Sequence, residues 1–176
     1  MSRRILAATA VAGALALMPI AGSPAQAAPF ATQAGGAGLT RTQTVELQSK
    51  VDDLIKQYPG SRQVSANKIA AKGFDIVVQA PGQKAGQDLA KPATKLALGC
   101  NSGYLCMEVG GTVFNLYACQ TWYATNWYGT GEFVNNQSPG TVASFYTDGS
   151  GALRWTSTAY EAGHFDATPI GSVRPC

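Results

Sequence analysis

The chain has 176 residues, of which 13% are charged, a formal net charge of +3 and a single histidine. This composition excludes a charge-rich disordered chain, and the charge is too small to predict nucleic-acid binding. One histidine removes most metal sites and catalytic triads, while 20 glycines and nine prolines favour a small, mainly β fold.

Residues 1–27 have the pattern of a secretory signal peptide. Arg3 and Arg4 precede an apolar run from Ile5 to Leu17, and Ala25-Gln26-Ala27 supplies small residues for cleavage. The apolar run is shorter than the ~20 residues that span a bilayer. We therefore predict that residues 28–176 are secreted, extracellular and not held in a membrane.

The remaining chain divides into two chemically different halves. Residues 28–98 hold nine Lys and Arg against five Asp and Glu. Residues 99–176 hold two against five, with all four cysteines and 13 of the 16 aromatic residues. We predict a disulfide-bonded domain over residues 99–176, preceded by a small α+β segment.

Four stretches are predicted before that domain. Residues 28–39 are rich in Gly, Ala, Thr and Gln and are expected to be flexible. Residues 40–80 are expected to form a small helix-hairpin segment, and residues 81–98 a linker. The segment is either a pro-segment docked on the acidic domain or an independent spacer.

Within residues 40–80, the helix is predicted from apolar residues spaced three and four apart. Thr42 or Thr44 is its predicted cap, and Pro59-Gly60 ends it. Two strands, 63–69 and 74–79, are predicted to follow, joined through Lys72-Gly73. The apolar helix positions are Leu47, Val51, Leu54, Ile55 and Tyr58.

Gly110-Gly111 predicts a two-residue hairpin turn in the second half. This register gives one almost wholly apolar face and one mixed face, as expected for a sheet that covers a core on one side. The apolar pairs are Val109 with Thr112, Met107 with Phe114, and Leu105 with Leu116.

A second hairpin is predicted from residues 141–147 and 152–156, which flank Asp148-Gly149-Ser150-Gly151. Residues 133–136 are expected to form another strand. Short strands separated by glycine-rich turns predict an antiparallel sandwich.

Four cysteines in an exported chain predict two disulfides, with three ways of pairing. The hairpin register brings Cys119 close to Cys100, which favours Cys100–Cys119 with Cys106–Cys176. Cys100 and Cys106 are also close enough in sequence to close a tight loop. The spacing does not fit paired zinc-binding motifs, so we expect no metal and no cofactor.

Catalytic motifs are scarce, and we expect no enzyme. His164 and Asp166 are two residues apart, so on a strand they would share a face, but no nucleophile motif accompanies them. Glu108 and Glu132 are the candidate carboxylate pair for glycoside chemistry, with a separation that the sequence does not define.

The aromatic pairs Trp122-Tyr123 and Trp127-Tyr128 form the candidate binding patch. Large aromatic residues anchor many interfaces and stack on sugars. The alternative is that these side chains fill the core of the sandwich.

Cys100-Asn101-Ser102-Gly103-Tyr104-Leu105-Cys106 resembles the C-x-x-G-x-x-C opening of the Streptomyces metalloproteinase inhibitor family. Residues 131–136 are similar to that family's S-S-W-V-N-N segment, and the likeness covers roughly residues 99–150. The resemblance implies a βγ-crystallin-like Greek-key sandwich and a local Cys100–Cys106 disulfide, leaving Cys119–Cys176. The family's reactive bond lies in a second short Cys-to-Cys segment that has no counterpart here.

The resemblance also implies a function. We expect a monomeric peptidase inhibitor, directed at an extracellular protease such as a metalloprotease, that acts through a rigid, substrate-like loop. The alternative is a secreted binding or antimicrobial module of the same fold, directed at a cell surface or glycan.

Overall fold

The computed structural model describes residues 24–93 and 95–176. The predicted signal peptide lies outside these residues, except for its last four. The helices of the described part are α1 (Pro24–Gly36), α2 (Arg41–Gln57) and a short 3-10 helix (Ala97–Gly99), and none of them is long and apolar enough to cross a membrane. The strands are β1 (Arg62–Ser65), β2 (Lys68–Ala71), β3 (Phe74–Val78), β4 (Tyr104–Val109), β5 (Thr112–Leu116), β6 (Trp122–Tyr123), β7 (Thr130–Asn136), β8 (Val142–Thr147), β9 (Leu153–Thr158), β10 (Glu161–Asp166) and β11 (Ile170–Arg174).

Where the sequence predicts a flexible segment over residues 28–39, the structure has helix α1 followed by a turn. Ala34 and Leu39 are buried in the main core. The Gln33 side chain accepts a hydrogen bond from the backbone N–H of Ala66. These tertiary contacts stabilise a stretch whose composition alone gives it little to bury.

Helix α2 forms where the apolar periodicity predicts it, with Leu47 and Val51 buried. Its cap is Thr40, and the predictions of Thr42 or Thr44 are wrong. Thr40 Oγ1 accepts from Gln43 N at 3.3 Å, and Gln43 Oε1 accepts from Thr40 N at 2.9 Å. This reciprocal arrangement is a capping box with Gln at its fourth position.

The single strand predicted over residues 63–69 is two strands, β1 and β2, separated by a turn at Ala66-Asn67. Asn67 causes the break, because its buried side chain bonds to other parts of the chain. The Asn67 amide donates to Val78 O and Gln87 O and accepts from Leu89 N, over 2.7–2.9 Å.

One antiparallel sheet joins the two halves of the chain, with strand order β1-β2-β3-β5-β4-β7-β10. Strand β3 pairs directly with β5, placing Ile76 opposite Phe114. The stretch predicted as a linker, residues 81–98, packs on the outer face of this sheet. Ala85 and Leu98 contact a small apolar cluster that contains Cys106 and Val113.

Both predicted hairpins are confirmed. In the first, Val109 pairs with Thr112, Met107 with Phe114 and Leu105 with Leu116, as the Gly110-Gly111 turn requires. In the second, β8 and β9 pair across the Asp148–Gly151 turn. Strand β7 covers the predicted 133–136 stretch and begins three residues earlier.

A second antiparallel sheet, with order β6-β11-β8-β9, packs against the first. The core between them is aromatic, and the Phe145 and Trp155 rings stack at 3.7 Å. Strand β6 belongs to this sheet although β5 and β7 belong to the other. Strand β10 makes the reverse exchange, since β9 and β11 lie in the second sheet.

Candidate functional site

The disulfides are Cys100–Cys106 and Cys119–Cys176, which is the pairing that the family resemblance implies. The pairing favoured by the hairpin register is wrong because the chain leaves the hairpin after Leu116. Tyr117 N and Ala118 N both donate to Gly73 O, which turns the chain toward β3 before it reaches Cys119.

Residues 119–128, which we call the aromatic segment, are held at several points. Cys119 is bonded to Cys176, β6 pairs with β11 through Tyr123 and Ser172, and Ala124 N donates to Gly171 O at 2.9 Å. No charged residue occurs in the sequence between Glu108 and Glu132. The segment is therefore an uncharged stretch of chain fixed to the body of the molecule.

The two tryptophans of the predicted patch hold the segment to the protein by packing against its core. The Trp122 ring lies 4.6 Å from that of Phe74, and its indole N–H donates to Ala118 O. Trp127 is 7% exposed and lies 5.0 Å from the Phe114 ring. These side chains follow the alternative interpretation, in which they fill the core.

The two tyrosines of the patch point the other way. Tyr123 is 75% exposed and Tyr128 is 68% exposed. In the aromatic segment, each tryptophan therefore points toward the core and the tyrosine that follows it points toward solvent.

Tyr58, at the C-terminal end of α2, packs the helix against two phenylalanines that also contact the tryptophans of the segment. Its ring meets those of Phe74 and Phe114 edge-on, at 5.5 and 6.0 Å. Burial raises the pKa of the Tyr58 phenol above its ordinary value of 10.0, and the nearby polar groups of Thr125 and Trp127 act in the opposite direction.

Two grooves flank the aromatic segment. The first groove, of about 450 Å³, lies between the end of α2, Lys72 and residues 120–123. The second groove, of about 340 Å³, lies between α2, the Gly110 turn and residues 125–128. Asn126, in the lining of the second groove, has a φ of 58°, a left-handed conformation that Asn adopts more readily than most residues.

The predicted catalytic candidates lie elsewhere, on the outer face of the first sheet. Glu108, Glu132 and His164 form a row across β4, β7 and β10. Glu108 Oε1 accepts from Gly111 N at 2.6 Å, so this carboxylate supports the hairpin turn. His164 Nδ1 lies 3.8 Å from Glu132 Oε1.

Asp166 shares a strand face with His164, as predicted, but its carboxylate accepts from Thr168 N at 3.1 Å. The charged neighbour of His164 is Glu132 instead. Across residues 24–93 and 95–176, no group of three or more His, Cys, Asp and Glu side chains has the geometry to hold a metal ion.

Protein-family models, curated proteins and solved structures were compared with this chain, and none matches it.

Proposed function

We propose that the protein is a secreted, non-enzymatic peptidase inhibitor that presents the aromatic segment to the cleft of an extracellular protease, with metalloproteases among its targets. The observation that carries this proposal is that the segment is exposed and yet fixed at both ends. Cys119 is bonded to Cys176 at one end, and Trp127 is buried in the core at the other. Such a segment loses little conformational entropy on binding, which is how rigid loops reach high affinity.

The composition of the aromatic segment supports the same function. A protease cleft takes its substrate as an extended strand and removes it from water, so a charged side chain without a partner would oppose binding. The aromatic segment contains no charged residue, and its two paired residues, Trp122 and Tyr123, are already extended as strand β6.

The proposal includes a βγ-crystallin-like Greek-key fold for residues 99–176. Support comes from the strand order, since β5-β4-β7-β10 in one sheet matches β9-β8-β11-β6 in the other. Each run of four strands gives its third strand to the opposite sheet. Two disulfides are typical of an oxidising, extracellular-type environment, which supports secretion together with the signal-like N-terminus.

The test is a titration of purified residues 28–176 against a thermolysin-like metalloprotease, a subtilisin and papain. We expect stoichiometric loss of activity for one class, with the aromatic segment protected from cleavage in that complex. The matched control is C119A/C176A, which leaves every exposed aromatic residue in place and removes the clamp. No inhibition of any class by a folded protein at micromolar concentration would contradict the proposal.

A second candidate function is a binding module without inhibitory activity, favoured by the first groove. Its lining combines the aromatic rings of Tyr58, Trp122 and Tyr123 with Lys72, a combination that suits glycans. Calorimetry with bacterial and fungal cell-wall glycans, using K72A as the groove variant and K56A as its exposed control, separates this function from inhibition.

A further inference from the structure

We propose that Tyr123 fills the specificity pocket of the target, and hence that the target is a protease whose pocket accepts a large aromatic side chain. This inference rests on the proposed inhibitor function and adds the residue that selects the partner.

The side chain of Tyr123 projects from the surface of the protein. At 75%, Tyr123 has the largest exposed fraction of any large hydrophobic residue in the part of the chain that the structure describes. An inhibitor must place one side chain deep in the pocket of its target, and this requires a side chain that projects from the surface. Aromatic residues of this kind carry a large share of the binding energy at interfaces.

The backbone of Tyr123 is extended and paired. Tyr123 belongs to β6, an edge strand of its sheet, and its pairing with Ser172 of β11 holds it extended. The first groove opens beside the same residues. An extended edge strand can add to the strand-like binding site of a protease through main-chain hydrogen bonds.

Trp122, the residue before Tyr123, is fixed in position. Trp122 points inward, where its ring packs on Phe74 and its indole N–H donates to Ala118 O. Because successive residues of a strand point to opposite faces, the partly buried Trp122, which packs against the core, directs Tyr123 outward. The exposed ring is therefore presented in one direction rather than on a mobile loop.

The residues around Tyr123 indicate which kind of specificity pocket the target protease has. Uncharged Gln120, Thr121, Ala124 and Thr125 surround Tyr123 in the sequence. A trypsin-like pocket, which requires a basic side chain, finds none in this segment. Pockets that take aromatic residues occur in serine proteases and in metalloproteases, and the enzyme panel distinguishes these two sources.

The experiment measures inhibition constants of four variants of residues 28–176 against chymotrypsin, subtilisin, a thermolysin-like enzyme and trypsin. We expect Y123A to weaken inhibition of the sensitive enzyme about 100-fold, in line with the loss of an interface anchor, while Y123F stays within about threefold of the parent. Y160A is the remote control, since Tyr160 is 65% exposed in the turn between β9 and β10. It is expected to leave inhibition unchanged.

The fourth variant, Y123K, gives a readout that a merely structural role would not produce. If the target is a serine protease, Y123K is expected to lose its inhibition and to gain inhibition of trypsin. If the target is the thermolysin-like enzyme, Y123K loses inhibition without that gain.

The outcomes separate this inference from the function on which it rests. A parent protein that inhibits none of the four enzymes, and not papain either, overturns both. A parent that inhibits one enzyme, with Y123A equally potent, overturns the role of Tyr123 and leaves the inhibitor function standing. A parent that inhibits trypsin alone also overturns the inference, because the segment offers trypsin no basic residue.

Discussion

Asn67 joins three separate parts of the chain through one side chain. Its amide group bonds to Val78 O at the end of β3 and to Gln87 O and Leu89 N in the stretch 81–98, which packs on the first sheet. The residue is fully buried. Buried backbone groups that lose their partners are destabilising, so this residue is important to the fold far beyond its own turn.

We predict that N67A lowers the free energy of unfolding by about 2–4 kcal/mol, because it leaves three backbone groups without their partner. Urea denaturation followed by tryptophan fluorescence measures the change. N101A, at an exposed position between Cys100 and Ser102, is the matched control and should change stability by less than about 0.5 kcal/mol. Equal effects of the two variants would contradict the role assigned to Asn67.

Tyr58 makes the stability of the protein sensitive to alkaline pH. Its pKa is raised in the folded state, so folded chains hold the phenol proton more tightly than unfolded ones. The resulting contribution to stability is fully present below pH 10.0, the ordinary value, and is lost as the pH rises through the folded-state pKa.

We expect urea midpoints measured between pH 8 and pH 11.5 to fall more steeply above pH 10 for the parent than for Y58F. The variant keeps the aromatic ring but has no proton to lose. Tyr117, whose pKa is also raised, first by burial and then by the charge of Asp75, remains in both proteins and contributes to the residual slope. Parallel curves would show that Tyr58 does not titrate in this range.

At the scale of elements, prediction from the sequence succeeds where a local signal defines the structure. Gly110-Gly111 and the 148–151 turn each define a hairpin because the paired strands are adjacent in sequence. The pairing of β3 with β5 has no such signal, because the residues between them carry no pattern that specifies a partner. Strands β10 and β11 were not predicted for a related reason, since their sequences lack strong apolar alternation.

Prediction of the candidate site from the sequence likewise succeeds only where the signal is local. The sequence identifies Trp122, Tyr123, Trp127 and Tyr128 as one patch, but it does not say which of them is buried. For Trp122 and Tyr123, the period-2 alternation of strand β6 contains this information, because only one of two successive strand residues can face the core, whereas Trp127 and Tyr128 lie between β6 and β7. Knowing which face is the core requires the pairing of β6 with β11, which is a tertiary contact.

The two disulfides differ in burial and in the length of chain that they close. Cys100 and Cys106 are 2% and 0% exposed, whereas Cys119 and Cys176 are exposed. We expect mild reductant, applied without denaturant and followed by alkylation and peptide mapping, to label Cys119 and Cys176 first. Labelling of Cys100 and Cys106 at the same rate would contradict the burial of that disulfide.

Removal of each disulfide should also differ in its effect on stability. Cys119–Cys176 spans 57 positions and Cys100–Cys106 spans six. Loop-closure entropy then predicts losses of about 4 kcal/mol for C119A/C176A and about 2 kcal/mol for C100A/C106A. Chemical denaturation of both double variants checks the order, which a reversal would contradict.

At the scale of the whole molecule, the charge difference between the halves does not mark separate bodies. Residues 28–98 supply three strands of the seven-stranded sheet, and β3 covers the edge of β5. A pro-segment removed after secretion would therefore leave β5 as a free edge, with Val113 and Phe114 losing part of their cover.

We predict that residues 99–176 produced alone do not form a stable monomer, because this free edge and its apolar neighbours are exposed. Size-exclusion chromatography and circular dichroism test this against the parent. The control is the full chain with a cleavage site engineered near Lys91 and nicked after folding, whose two pieces should elute together. An isolated 99–176 with the parent's melting temperature would show that the halves are independent.

The position of Cys176 affects the time at which the aromatic segment becomes fixed to the rest of the molecule. Under the proposed secretion, the chain is exported from its N-terminal side, so Cys100 and Cys106 reach the oxidising environment early, whereas Cys119 must wait until the 57 positions to Cys176 have followed. During that interval β6 also lacks β11, the strand with which it pairs. Under the proposed function, an exported chain in which Cys119 and Cys176 are not yet bonded presents the aromatic segment as a flexible and cleavable peptide, and is a substrate of the protease that the folded chain inhibits.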